Sequence, residues 1–158
     1  MASVYIETSI PSYYHETRTS PSAVAWRNAT REWWDQHRSG YSIFTSVFVT
    51  RELLRSPPAK AARMLQFMDA AVVLDEPAAL QDVVQFYHEH HLMPMEAGGD
   101  AFHLAMASLA GMDYLLTWNC RHLANANKVQ HIRVLNGRLG LHVPIITTPL
   151  TLIPEKPK

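Results

Sequence analysis

The stretch from Asp100 to His122 limits the possible folds more than any other part of the chain, because it predicts a buried helix followed directly by a buried strand. Residues 101–110 are apolar nearly all round, which is typical of a helix buried on more than one side. After the helix stop at Gly111, residues 114–117 form a short apolar run without alternation, as in the central strand of a parallel sheet. The stretch therefore predicts an α/β protein whose sheet is covered on both faces.

One polar residue stands at each end of this helix and strand pair. A helix of about twelve residues runs roughly 18 Å, and a strand of four or five residues returns about 15 Å. We therefore expect Asp100 and Asn119 at the same carboxyl edge of the sheet, where open α/β sheets bind ligands. Each residue separately also has a purely structural explanation, since Asp is favoured in the first turn of a helix and Asn is common in turns after strands.

Strand and helix patterns alternate along the rest of the chain. Ser9 is expected to cap the first helix, and Ala62 and Leu65 are expected to face inward on the fourth. The predicted strands cover residues 4–6, 41–44, 71–74, 114–117 and 143–147. The other predicted helices cover residues 22–38, 47–54, 59–67, 77–92, 100–110 and 121–139. This alternation, without repeats or linkers, predicts a single domain over residues 1–158 with a mostly parallel sheet.

Composition excludes several classes of protein. A chain of 158 residues is long enough for one domain that buries roughly 70% of its unfolded surface. With 47% apolar and 18% charged residues it is not a disordered chain, and no apolar run approaches the ~18 residues that span a membrane. The single Cys120 and the lack of a leader pattern before Val4 lead us to expect a reducing cytoplasm. Fourteen basic residues balance fourteen acidic ones, so any nucleic-acid surface is expected to be local.

Three acidic residues lie where a binding crevice is expected. Glu7 follows the first strand, Asp100 begins the buried helix, and Glu52 lies on the third helix. If the first and fourth strands are neighbours, Glu7 and Asn119 face the crevice at the switch point of the sheet, and Asp100 overhangs it. Packed carboxylates repel each other and require a cation, and oxygen ligands suit Mg²⁺ or Mn²⁺. Glu52 is expected at the edge of the buried face of its helix, but a solvated side chain is the commoner outcome for Glu on a helix.

Four short segments in the right order resemble the motifs of PIN-domain ribonucleases, including the VapC-type toxins of toxin and antitoxin pairs: VYIETS, SVFVTRE, DAFHLAMA and DYLLTWNCRHLAN. The resemblance runs from Val4 to about Thr147 and includes the YIETS opening of one branch. It implies a Rossmann-like, three-layer α/β/α sandwich with about five strands. It also implies an endoribonuclease that depends on Mg²⁺ or Mn²⁺, with RNA as the substrate, an antitoxin as a partner and a homodimer as the assembly.

The resemblance further implies roles for four polar residues. Glu7 stands where the family usually has Asp, and Asn119 stands where it has Asp or Asn. Glu52 and Asp100 match two other acidic positions of the family. On this basis Glu7, Asp100 and Asn119 hold or orient the metal ion, and Glu52 helps to position the attacking water.

Residues with hydroxyl or basic side chains are expected to contact the phosphate or the metal ligands. Ser9 (or Thr8) and Thr117 match small hydroxyl positions of the family, and His103 matches a position of the branch with the YIETS opening. We interpret His103 as a packing or phosphate-contacting residue rather than a metal ligand. The basic residues expected near the mouth of the site are Arg18, Arg121, His122 and Lys128. Solvated surface charge explains each of these basic residues equally well.

Other functions and one other metal site remain open. Residues 88–91 are rich in histidine, but a zinc-protease helix needs two histidines four residues apart, and position 92 is Leu. A nucleotide-binding enzyme is disfavoured because no phosphate-binding glycine motif follows the first strand. A PIN-like RNA-binding or protein-binding module without catalysis remains an alternative, because Glu7 and Asn119 differ from the residues usual in the family.

Overall fold

Five short strands form one sheet at the centre of the computed structural model, which describes residues 1–95 and 99–155. The strands are β1 (Ser3–Ile6), β2 (Ser42–Thr45), β3 (Val72–Val73), β4 (Tyr114–Leu116) and β5 (Ile145–Thr147). Their order in the sheet is β3-β2-β1-β4-β5, and every neighbouring pair is parallel. The first and fourth strands are therefore neighbours, which is the condition under which the sequence places Glu7 and Asn119 at one crevice. The switch point of the sheet lies between β1 and β4.

In the described part of the chain, seven α-helices cover this sheet and complete the α/β/α sandwich that the sequence predicted. They are α1 (Ser9–Tyr14), α2 (Pro21–Glu32), α3 (Val47–Leu53), α4 (Pro58–Met68), α5 (Leu80–Glu89), α6 (Asp100–Leu109) and α7 (Val129–Leu139). As predicted, α6 is buried nearly all round, and Gly111 follows it with a φ of +67°. The core joins α6 to the fully buried residues of β1 and β4, so these three elements form a rigid base for the carboxyl edge of the sheet.

Several predicted boundaries and faces were wrong. Residues 22–38 do not form one regular helix, because α2 ends at Glu32 and widens into a π-turn over Trp33–His37. Residues 121–139 begin with turns, and only Val129–Leu139 is α-helical. On α4 the buried residues are Ala61, Met64 and Met68, whereas Ala62 is exposed and Leu65 is half-buried at the edge of this face.

No helix in the described part of the chain combines the length and apolar character needed to cross a membrane.

Candidate active site

Glu7 lies immediately after β1 and is held by hydroxyl groups at the carboxyl edge of the sheet. The pairing of Ile6 with Leu116 places Glu7 level with Thr117, the residue that follows β4. Oε2 of Glu7 accepts hydrogen bonds from Oγ1 of Thr117 (2.6 Å), Oγ of Ser9 (2.5 Å) and the backbone N–H of Ser9 (3.1 Å). Within the described residues Oε1 has no hydrogen-bond partner. Although Glu7 is only 5% exposed, one of its oxygens remains available to a ligand.

Ser9 and Thr117 connect the ends of the two central strands. Oγ of Ser9 accepts a hydrogen bond from the backbone N–H of Trp118 (2.8 Å), and Oγ1 of Thr117 accepts one from the backbone N–H of Asn119 (2.9 Å). The predicted capping role of Ser9 was wrong, because Ser9 is already the first residue of α1 and no side-chain cap is formed there. Its hydroxyl instead orients Glu7.

Glu52 points from α3 towards α6, where it meets His103. Oε1 of Glu52 lies 2.6 Å from Nε2 of His103, and the side chains are 26% and 1% exposed. Burial disfavours both charges, but the hydrogen bond and the charges of the pair outweigh it, so the pKa of Glu52 is lowered and that of His103 is raised. The fully solvated position considered for Glu52 is therefore not the one observed.

Gly99 lets the backbone before α6 approach this pair. A Cβ atom at residue 99 would lie 2.1 Å from Oε1 of Glu52 and 3.1 Å from Nε2 of His103. The φ of Gly99 is −78°, which any residue can adopt, so the requirement for glycine at this position is steric.

Asp100 is the first residue of α6 and is 9% exposed. Burial has the largest effect on Asp100 and raises its pKa. The charge of Glu7 also raises this pKa, whereas the Asn119 side chain and the charges of His103 and His122 lower it, and the net shift is upward. A raised pKa for a carboxyl at this edge means that its charge lacks full compensation from the protein.

Asn119 is the third residue after β4 and uses its side chain in the next turn. Its Oδ1 accepts a hydrogen bond from the backbone N–H of His122 (2.9 Å), and its amide favours the charged form of Asp100. An oxygen that accepts one hydrogen bond still has a second lone pair, so the predicted metal contact of Asn119 stays a prediction.

The predicted basic residues are not equivalent. His122 and Lys128 lie within the electrostatic influence of Asp100, and Nζ of Lys128 also donates a hydrogen bond to the carbonyl oxygen of Leu92. Arg121 is exposed on the turn after β4. Arg18 instead makes a two-pronged ion pair with Glu16, at 3.0 and 2.9 Å, so its guanidinium is already engaged.

The residues at this edge fit a divalent cation. Ligand atoms of Glu7, Glu52 and His103 lie within 4.8 Å of one another. Next to them Oγ1 of Thr8 is buried without a hydrogen-bond partner in the described chain. Carboxylates together with an imidazole suit Mn²⁺, and carboxylates alone suit Mg²⁺. Among residues 1–95 and 99–155, the histidines at 88–91 belong to no comparable cluster.

One residue of the site, Gly99, and one contact, between His103 and Glu52, were missed from the sequence. Gly99 had no signal in the local pattern, because its role depends on a carboxylate from another helix. The pairing of His103 with Glu52 had a partial signal, since residues three apart on a helix share a face and Asp100 precedes His103 by three.

No protein-family model matches the sequence, and no curated protein gives a significant match. Solved structures do match. VapBC-1 from nontypeable Haemophilus influenzae has a TM-score of 0.59 and 13% identity, covering 94% of this chain and 98% of that chain. FitAcB from Neisseria gonorrhoeae has a TM-score of 0.53 and 15% identity, covering 94% and 99%.

VapBC2 from Rickettsia felis, solved bound to a DNA fragment from their promoter, has a TM-score of 0.52 and 12% identity, covering 92% of this chain and 97% of that chain. At such low identities the likeness concerns the fold and not the activity. The chain has the PIN-like α/β/α fold of the VapC-type proteins, as its four sequence motifs predicted.

Proposed function

We propose that this protein is an endoribonuclease dependent on Mg²⁺ or Mn²⁺, and that it is the toxin of a type II toxin and antitoxin pair. The observation that supports the proposal most directly is the meeting of acidic groups from distant segments at the carboxyl edge of β1 and β4. Glu7 and Glu52 lie within ligand distance of each other, and Glu7 raises the pKa of Asp100. Such a cleft repels a phosphodiester unless a cation is bound there.

Each polar residue has a defined part in the proposed hydrolysis. A bound divalent ion supplies a water of lowered pKa and neutralises charge on the phosphate oxygens. Glu7, Asp100 and Asn119 hold the ion, while Ser9 and Thr117 keep Oε2 of Glu7 fixed.

Glu52 orients the attacking water in line with the phosphorus–oxygen bond that breaks. Hydrolysis of that bond leaves a phosphate at one new RNA end and a hydroxyl at the other. His122, Arg121 and Lys128 contact RNA phosphates, and Arg18 can do so only after leaving Glu16.

The proposed partner is an antitoxin protein, because the matched structures are VapBC and FitAB complexes. We also propose a homodimer and a cytoplasmic location. Light scattering of the purified chain is expected to give about twice its 17.9 kDa. A mass equal to one chain rejects the homodimer without affecting the proposed chemistry.

The test of the activity is cleavage of single-stranded RNA by the purified full chain with Mg²⁺, with Mn²⁺ and with a chelator. We expect cleavage only with metal, and a loss of at least about 100-fold in Asp100→Asn and in Glu7→Gln, because each substitution removes one metal-binding charge. Asp82→Asn is the matched control, since Asp82 also lies in the first turn of a helix but is exposed. It is expected to cleave like the wild type.

Two results would contradict the proposal. Cleavage that persists in the chelator rejects metal dependence. RNA binding without cleavage under any metal condition supports the alternative, a non-catalytic PIN-like binding module. A parallel reaction with single-stranded DNA of the same sequence tests the assignment of RNA as the substrate, because only RNA offers the 2′-hydroxyl for recognition.

A further inference from the structure

A chain of buried hydrogen bonds leads from the sheet to Glu52. Oγ of Ser46, which precedes α3, lies 2.6 Å from the hydroxyl of Tyr5 on β1. That hydroxyl lies 2.8 Å from Nδ1 of His103 on α6, and Nε2 of His103 lies 2.6 Å from Oε1 of Glu52. Both ring nitrogens of His103 are therefore engaged, and the two partners fix the orientation of the ring.

The surroundings of Tyr5 keep this chain of bonds intact. Tyr5 is fully buried, and burial raises the pKa of its hydroxyl, so the hydroxyl stays neutral. Its ring lies 5.8 Å from that of His103, at an angle of 54°. Tyr5 is paired with Phe44 and Leu115 in the neighbouring strands, so its backbone has little freedom to move.

A buried histidine with satisfied nitrogens also has an ordinary explanation, as a packing residue of the core. The residue that pairs with Nε2 of His103 argues against this explanation, because Glu52 does not belong to the core. Glu52 is partly exposed and lies within ligand distance of Glu7. Gly99 closes the remaining side, since even a methyl group there would collide with Oε1 of Glu52. The observed hydrogen bond of His103 is made to Oε1 of Glu52, and the Thr8 side chain also favours the charged form of this carboxylate.

We infer that His103 is a positioning residue that fixes Glu52 through Oε1, so that the other carboxylate oxygen would hold a water of the bound cation and support its binding, with Tyr5 and Ser46 holding the imidazole. This inference rests on the proposed function, because it explains the orientation of the Glu52 side chain by a role at the proposed metal site. His103 acts through Glu52 and does not bind the metal ion itself.

The experiment measures Mn²⁺ binding to the purified full chain without RNA, from the electron paramagnetic resonance signal of free Mn²⁺. We expect Tyr5→Phe, which removes a single hydroxyl, to weaken Mn²⁺ binding about 10-fold, and His103→Gln to weaken it by about 10- to 100-fold. The double variant is expected to match His103→Gln alone, because Tyr5 acts through His103. RNA cleavage is expected to fall with Mn²⁺ affinity.

Tyr87→Phe is the matched control. Tyr87 is equally buried, and its hydroxyl donates a hydrogen bond to Oδ1 of Asn136 (2.6 Å) away from the acidic residues. Removal of that hydroxyl lowers the melting temperature without affecting Mn²⁺ affinity. If His103→Gln does not fold, Tyr5→Phe and Ser46→Ala provide the same comparison.

Three results would overturn the inference. If Tyr5→Phe and Tyr87→Phe lower the melting temperature alike and neither alters Mn²⁺ affinity, His103 is only a packing residue, and the proposed function stands. If pulsed resonance detects direct coupling of Mn²⁺ to an imidazole nitrogen that His103→Gln removes, His103 is a ligand. If the wild type binds no Mn²⁺, this inference and the proposed function fail together.

Discussion

The acidic residues of the candidate site differ in their surroundings. Hydroxyl groups of Ser9 and Thr117 hold Glu7, His103 holds Glu52, and ligand atoms of these two acids lie within 4.8 Å of each other. For Asp100, burial raises the pKa, although the Asn119 side chain favours the charged form. The group with the raised pKa gains most from a bound cation, which is why Asp100 is the most informative acid to substitute.

Gly99 offers a test at the scale of one residue. In Gly99→Ala the new methyl group displaces the flexible end of Glu52 and separates it from His103. We expect RNA cleavage to fall about 10-fold or more, and stability to fall by about 1–3 kcal/mol because buried His103 loses a partner. Gly40→Ala is the control, since nothing lies within 4 Å of a Cβ there. Unchanged cleavage in Gly99→Ala would show that the place of Glu52 is unimportant.

At the scale of elements, α6 does most to build the site. Its first residue, Asp100, and His103 one turn later reach the same cleft, while the rest of the helix is packed into the core. A helix buried nearly all round cannot rotate without opening cavities, so the two polar side chains keep their places. Unlike α6, the polar segment after β4 is not α-helical from its start, because it forms turns before α7 begins at Val129.

The end of α7 provides a prediction about stability. Gly140 caps this helix with a φ of +67°, whereas Gly137 lies inside the helix, and a Cβ at either position meets no atom within 4 Å. Gly140→Ala is expected to destabilise the protein by about 1 kcal/mol, and Gly137→Ala to stabilise it by about 0.5–1 kcal/mol. Urea unfolding measures both. Equal effects of the two substitutions would contradict the role assigned to the left-handed cap.

For the molecule as a whole, the strand order decides which residues meet. Because β1 lies between β2 and β4, Glu7 reaches Thr117 across 110 residues of sequence, and α3 and α6 bring Glu52 and His103 together. The ion pair between Glu16 and Arg18 lies outside this cluster. It lowers the pKa of Glu16 to about 2, through hydrogen bonds from the Arg18 side chain and backbone.

The pH dependence of stability tests that ion pair. A carboxyl with a lowered folded pKa stabilises the fold above its unfolded pKa, and this stabilisation is lost as the pH falls through the folded value. We expect Glu16 to contribute about 1–2 kcal/mol at pH 7, reduced because Arg18 is 67% exposed, and to lose it between about pH 4.5 and 2.

In Glu16→Gln the stability at pH 7 is lower by that amount and changes less over this range, as measured by urea unfolding at several pH values. Glu76→Gln, at an exposed position, is the control. Parallel curves for the wild type and Glu16→Gln would show that the ion pair contributes nothing.

The sequence by itself determined the α/β class, the buried α6 and β4, and the expectation that Glu7 and Asp100 belong to one edge, while the structure decided that β1 and β4 are neighbours. Apolar periodicity records burial, and an apolar run without alternation is typical of a parallel strand covered on both faces. Only the tertiary structure decided that Glu52 turns inward, that His103 holds it and that Gly99 makes room. Glu52 lies 51 residues from His103 in the sequence and 47 from Gly99, and these contacts depend on rotamers and helix packing that no local pattern records.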